Sequence, residues 1–176
     1  MVTRFLNVVL EVFKERKKGE QVLIQEYGIE RPRWRSEDEE LFPESYECLE
    51  RLSKKYKIGV IANQLPGTAA RLEKHGVLKF IDIVIASAEE GLEKPDRRIF
   101  ELALSRANCK PENAVMIGDR VDNDIIPAKK IGMKTVRVKQ GMWKYWDVLG
   151  EEELADFEVD DLSAVIELFG WKFENN

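Results

Sequence analysis

Residues 114 to 124 constrain the fold more than any other stretch of the chain. Ala114, Val115, Met116 and Ile117 run without a polar break into Gly118, and Asp119, Asp122 and Asp124 follow at once. An apolar run of this length, closed by glycine, fits a strand buried on both faces, as in a parallel sheet. Acidic groups at the carboxyl end of such a strand fall where open α/β sheets bind ligands. Hard oxygen donors grouped this closely suit Mg²⁺, which takes one or two protein carboxylates and leaves its other positions to water and phosphate. The competing reading of the same residues is a solvated, Asp-rich turn.

The rest of the chain supplies neighbours for that strand. Pro43 opens a helix running through Tyr46, Leu49 and Leu52 to a basic end at Lys54 and Lys55. Strand and helix then alternate. The pattern predicts strands at 57–62, 81–86, 114–118 and 135–138, and helices at 68–75, 96–107, 124–131 and 162–168. Gly76 and Gly132 mark two helix ends, and Asp160-Asp161 reads as a cap before Leu162. Such alternation implies right-handed crossovers and a parallel sheet, so the fold class is α/β. Ahead of it, residues 4–17 place Phe5, Leu6, Val8, Val9, Val12 and Phe13 on one helical stripe. Residues 20–27 read as a second helix, although Val22-Leu23-Ile24 also suits a short strand, and residues 30–40 form a polar connector.

Composition narrows the function classes. A length of 176 residues with 44% hydrophobic content is enough for one domain with a filled core. The net charge of −5 argues against a nucleic-acid binder, which shows a basic face. Arg31, Arg33 and Arg35 around Trp34 sit beside the acidic run Glu37 to Glu40 and read as a solvated linker. Two cysteines, Cys48 and Cys109, make neither a disulfide framework nor a zinc pattern. His75 is the single histidine, and its place before Gly76 gives it a helix-end role. No apolar run of membrane-spanning length and no signal-peptide core is present, so the expectation is a soluble, cytoplasmic protein with no membrane partner.

Three loops at strand carboxyl ends carry the chemistry: Ile61-Ala62-Asn63-Gln64, Gly91 to Asp96 (Gly-Leu-Glu-Lys-Pro-Asp), and Gly118 to Asp124. Together they offer an amide, an ammonium and metal-binding carboxylates, the set that a phosphoryl group and its Mg²⁺ require. Lys94-Pro95-Asp96 followed by Arg97-Arg98-Ile99-Phe100 is similar to the third motif of the haloacid dehalogenase superfamily. Gly118-Asp119-Arg120-Val121-Asp122-Asn123-Asp124 resembles its fourth, and Pro127 to Val136 continues the likeness. The resemblance covers about residues 41 to 168. It implies a Rossmann-like three-layer αβα core over residues 41–176 behind a reduced helical cap at residues 1–40. It further implies a hydrolase, nominally a Mg²⁺-dependent phosphatase of small phosphorylated metabolites. On this reading Asp119 and Asp124 hold the metal. Lys94 is the catalytic cation, and with Asn63 it binds the phosphoryl group.

Two departures limit that reading. The family's second motif ends in Ser or Thr, and Ala62 stands at the matching position, with Asn63 beside it as a partial substitute. The family's first motif, a strand ending in Asp-x-Asp, supplies the nucleophile, and no aspartate precedes Asp38. A covalent aspartyl mechanism without its aspartate has no chemical step to accelerate. The expectation is therefore an enzyme inactive as written, with the motif either lying upstream of Met1 or lost. The alternative is a non-catalytic relative that binds Mg²⁺ and phosphate as a regulatory or interaction module. A missing central strand also leaves a sheet edge through which the chain could close its gap, borrow a strand or form a homo-oligomer. Asp122 reads as a supporting carboxylate. Trp143, Tyr145 and Trp146 read either as packing against the sheet's edge or a partner, or as a substrate contact.

Overall fold

The computed structural model of the protein describes residues 39–172. The two helices expected within residues 4–27, and the cap they would form, lie outside the described residues. From Ser45 the chain runs α1 (Ser45–Ser53), β1 (Gly59–Ala62), α2 (Thr68–Lys74), β2 (Ile83–Ala86), the single turn α3 (Ser87–Glu90) and α4 (Arg97–Ala107). It continues through β3 (Val115–Gly118), α5 (Ile126–Lys130), β4 (Lys134–Val138), β5 (Phe157–Val159) and α6 (Leu162–Lys172). Every strand pairing is parallel. Helices cover both faces of the strands, as an all-parallel arrangement requires.

The strands form two groups. Gly59 to Ala62 lie opposite Ile83 to Ala86, and Val115 to Gly118 lie opposite Lys134 to Arg137, with β5 beyond β4. Among the described residues no ladder joins β1 to β3. Packing holds the two groups together instead. On one face Ile99, Phe100 and Leu104 of α4 pack with Ile85 of β2 and Met116 of β3, and Ile61 of β1 leans on the same cluster. On the other face Cys48 and Leu52 of α1 meet Val165 and Phe169 of α6 over Val136 and Val138. Val115 and Ile117 join that second cluster while Met116 joins the first, the alternation that a strand's two-residue period imposes. Burial lifts the Cys48 thiol to about 11, so it stays a protonated core residue.

Local chemistry explains most element boundaries. Asp96 caps α4 by accepting a hydrogen bond from the Arg98 N–H at 2.9 Å, and the Arg98 guanidinium holds its carboxyl down at about 2. Asp161 caps α6 through the Ala164 N–H at 2.9 Å, as the sequence predicts. Three results differ from expectation. The helix expected over 124–131 is present as the shorter α5, Ile126–Lys130, and a wide turn, Val121–Ile125, closed by the Ile126 N–H on the Val121 carbonyl, precedes it. β5 is an added strand whose three residues are too few to show a period. Its position is set by Asp156, whose Oδ2 accepts from the Thr135 N–H at 2.7 Å and from the Thr135 hydroxyl at 2.8 Å. The last helix reaches Lys172 rather than residue 168. Among the described residues no helix is long and apolar enough to cross a membrane.

Ile85 is fully buried between α4 and the β1–β2 pair. Ile85→Ala is expected to cost about 2 to 5 kcal/mol through lost transfer energy and the cavity left behind. Urea denaturation checks this: the midpoint should fall with the slope unchanged.

Candidate active site

The βα loops after β1, β2 and β3 meet at the carboxyl ends of the strands, and Asp124 is the point where they join. Its carboxylate lies inside the wide turn and is only 3% exposed. Oδ1 accepts from the Lys94 Nζ at 2.6 Å, and Oδ2 accepts from the Arg120 N–H at 3.0 Å. The side chain passes so close to β3 that a Cβ at Gly118 would stand 2.5 Å from Oδ2. That approach explains the glycine: a methyl group there would displace the carboxylate or the strand end. The wide turn does the complementary work. By admitting one extra residue per turn it turns Asp124 back under β3 instead of outward along a helix.

Lys94 arrives from the loop after β2 and is gripped at both ends. Its ammonium meets Asp124, and its main chain is clamped by the Asn63 amide. Asn63 Nδ2 donates to the Lys94 carbonyl at 2.8 Å, and Asn63 Oδ1 accepts from the Lys94 N–H at 2.7 Å. The peptide bond between Lys94 and Pro95 is cis. The sequence points Asn63 at a phosphoryl group. In the structure its amide faces the Lys94 backbone, so its visible work is to position the lysine.

Asp119, the first residue beyond β3, lies beside this pair. Burial raises its carboxyl above the ordinary aspartate range, and the neighbouring Asp124 charge raises it further, against smaller opposing effects from its own N–H, Lys94 and Arg120. Two carboxylates near enough to oppose each other's ionisation suit a divalent cation. Among the described residues no cluster of three or more acidic, histidine or cysteine side chains forms a complete metal cage. The donor set therefore fits an ion that takes two protein oxygens and completes its shell from water and phosphate, which is Mg²⁺ behaviour.

Arg120 is the residue that sequence reasoning did not assign. It forks onto Asp122 at 3.0 and 2.6 Å and stacks on the Trp143 ring, its guanidinium carbon 4.1 Å from the centroid. Arg137 on β4 donates to the Trp143 and Trp146 carbonyls at 3.1 and 2.8 Å and pins that aromatic loop against the sheet. Asp122 thus supports Arg120, in keeping with its expected secondary role. The signal for Arg120 was its place between two acidic residues, but its stacking partner lies 23 residues further on and leaves no local mark.

A parallel α/β core that gathers an ammonium and two opposed carboxylates at its strand ends is a Rossmann-like domain with an acidic, phosphate-compatible site. The chain belongs to the haloacid dehalogenase-like hydrolase family, whose model matches residues 4–132. It is 39% identical over 115 residues to a glyceraldehyde 3-phosphate phosphatase of Methanocaldococcus jannaschii, covering 64% of this chain and 48% of that protein. It is 38% identical over 131 residues to the protein of the same name from Pyrococcus furiosus, covering 72% and 53%. A crystal structure of a phosphatase of this family from Thermococcus onnurineus superposes with a TM-score of 0.67 at 24% identity, over 96% of this chain and 79% of the other, a likeness of fold. The chain spans about half the length of the curated relatives it matches.

The raised Asp119 carboxyl makes a signed prediction. A carboxyl raised on folding contributes stability that is fully present below its unfolded pKa and is lost as pH rises through its folded pKa. At neutral pH without Mg²⁺, ionised Asp119 therefore works against the fold. Asp119→Asn is expected to raise the melting temperature by a few degrees at pH 7 and by little at pH 4. Melting curves across that pH range decide it, and an equal shift at both ends would show that the gain is not electrostatic.

Proposed function

We propose that this chain carries the metal- and phosphate-holding part of a phosphatase site acting on small phosphorylated metabolites. The observation that carries the reading is the Asp124 carboxylate, buried and shared between the Lys94 ammonium and the edge of an acidic pair. Asp119 and Asp124 would hold Mg²⁺, which when bound neutralises phosphate charge and polarises a phosphoryl oxygen. Lys94 places a second positive charge beside that position, where it stabilises charge developing on the transferring group. Asn63 fixes the lysine main chain, so the ammonium is aimed before substrate arrives, and its second amide proton remains for a phosphoryl oxygen. The names of the archaeal relatives support a phosphorylated three-carbon compound as the substrate class.

A second reading is favoured by one observation. None of the five described strands carries an aspartate, so among the described residues no strand offers an aspartyl nucleophile. On that reading the site binds Mg²⁺ and phosphate without turnover and serves as a binding or regulatory module.

Calorimetric titration with Mg²⁺ and with inorganic phosphate, beside phosphate release from an aryl phosphate, separates the two. Both readings expect Mg²⁺ binding that Asp119→Ala abolishes, and phosphate affinity that Lys94→Ala lowers by about tenfold or more, as loss of a charged hydrogen bond of about 1.5 to 3 kcal/mol requires. Release of phosphate that disappears in Asp119→Ala supports the phosphatase. Binding without release supports the module, and absence of Mg²⁺ binding overturns both.

A further inference from the structure

Asp119 and Asp124 come from different parts of one loop: the first continues β3, and the second lies inside the wide turn. Two oxygens that share one small ion must keep their spacing, because Mg²⁺ demands near-octahedral geometry at about 2.0 to 2.1 Å. Arg120 is the residue that ties the two together. It follows Asp119 in the chain, and its N–H donates to Asp124 Oδ2 at 3.0 Å. Its carbonyl accepts from the Asp124 and Ile125 N–H groups at 2.8 and 3.2 Å. The position of the Arg120 main chain therefore sets the positions of both carboxylates.

The Arg120 side chain anchors that main chain in turn. Asp122 forks onto the guanidinium but belongs to the same loop, so those two can move as a unit. Trp143 supplies a contact from outside the loop: its ring stacks on the guanidinium and also meets the Trp146 ring, with centroids 5.6 Å apart. The Trp143 backbone is fastened to the sheet at the level where β3 ends. Gly118 lies opposite Arg137 in one ladder, and Arg137 lies opposite Glu158 in the next. The Arg137 guanidinium, 3% exposed, donates to Glu158 at 3.2 Å and to the Trp143 and Trp146 carbonyls. A continuous series of contacts thus runs from the sheet through Arg137, Trp143 and Arg120 to the two carboxylates.

We propose that Trp143 is a positioning residue for the metal pair: by stacking on Arg120 it fixes the spacing of Asp119 and Asp124, and so sets the affinity for Mg²⁺ without touching the ion. The inference rests on the reading of Asp119 and Asp124 as the Mg²⁺ pair. Charge alone gives Arg120 the opposite effect. Its guanidinium favours ionised Asp119, so its charge reaches the site, and like charges repel an incoming cation. Positioning and charge therefore predict opposite signs when Arg120 is removed.

The test is calorimetric titration of the full chain with MgCl₂, using Trp143→Leu, Trp143→Phe, Arg120→Leu and the Arg120→Leu/Trp143→Leu double variant. Trp143→Leu changes no charge and is expected to weaken Mg²⁺ binding about threefold to tenfold, as loss of a half-buried cation–π contact requires. Trp143→Phe keeps a ring and is expected to recover most of that loss. Arg120→Leu is expected to weaken binding as well, although it removes a cation and releases Asp122. The double variant should bind no more weakly than Arg120→Leu alone, because both substitutions remove one shared contact. Unchanged affinity in Trp143→Leu, equal loss in Trp143→Phe, or tighter binding in Arg120→Leu overturns the proposal and leaves the Mg²⁺ site standing. A native-sequence chain that takes up no Mg²⁺ overturns the reading of the pair, and this inference with it. Melting curves accompany each titration. If Trp143→Leu no longer melts cooperatively, the sign of the change in Arg120→Leu decides: weaker binding supports the proposal and tighter binding overturns it.

Discussion

Asp124 is the constraint on which the rest of the site depends. A carboxylate this deeply buried gives up its hydration, and the ammonium and backbone N–H that replace it offset that cost rather than exceed it. Its consequence is therefore positional more than stabilising. Three requirements meet at this one side chain: a glycine at position 118 to leave room, a wide turn at Val121–Ile125 to bring the carboxylate back, and a lysine from a different loop to balance the charge. Asn63 then extends the tie to a third loop. Three short hydrogen bonds thus connect the loops after β1, β2 and β3, and the geometry of the site follows from the packing of those strands.

The strands themselves are held in an unusual way. In a continuous parallel sheet the ladder sets the distance between neighbours. Here β1 and β3 share no ladder, and their relative position rests on side chains: α4 bridges Ile61 and Ile85 to Met116 on one face, while α1 and α6 cover Val115 and Ile117 on the other. Dispersion and burial can hold two layers together without specifying a hydrogen-bond register between them. The Lys94–Asp124 contact adds what packing lacks, a directional link between the loop after β2 and the loop after β3. Among the described residues, the ion pair and the helix layers together set the position of β1 against β3.

Most of the framework was legible in the residues because it is governed by local rules. The apolar run at 114–117 ended by Gly118, the glycines at 76 and 132, and the caps at Asp96 and Asp161 each declare themselves within a few positions. What was not legible depends on partners remote in sequence. β5 is short and exists because Thr135 binds Asp156 and β4 offers an edge. The wide turn replaced a regular helix start because Asp124 has to reach Lys94, 30 residues away. Asn63 showed its polar amide but not its orientation, since the backbone it clamps belongs to another loop. Arg120 was hidden for the same reason, its ring partner being Trp143. Among the candidate residues, chemical type was readable from sequence, and direction was not.

The electrostatics of the site connect its fold to its chemistry. Asp119 is driven toward its neutral form by burial first and by Asp124 second, so the isolated protein holds a carboxylate that would be better protonated. A cation placed between the two reverses that preference, and by linkage the free energy that opposes ionisation in its absence is returned when it binds. Lys94 already occupies one lone pair of Asp124, which limits how much positive charge the pair can accept. On the proposed reading a divalent ion held by Asp119 and Asp124 would share Asp124 with the lysine. An anion bound there would meet both charges. Phosphate, with several oxygens and more than one negative charge, would suit an ammonium and a metal ion together, which is the proposed reading. This is why the carboxylate pair and Lys94 are more informative together than either is alone.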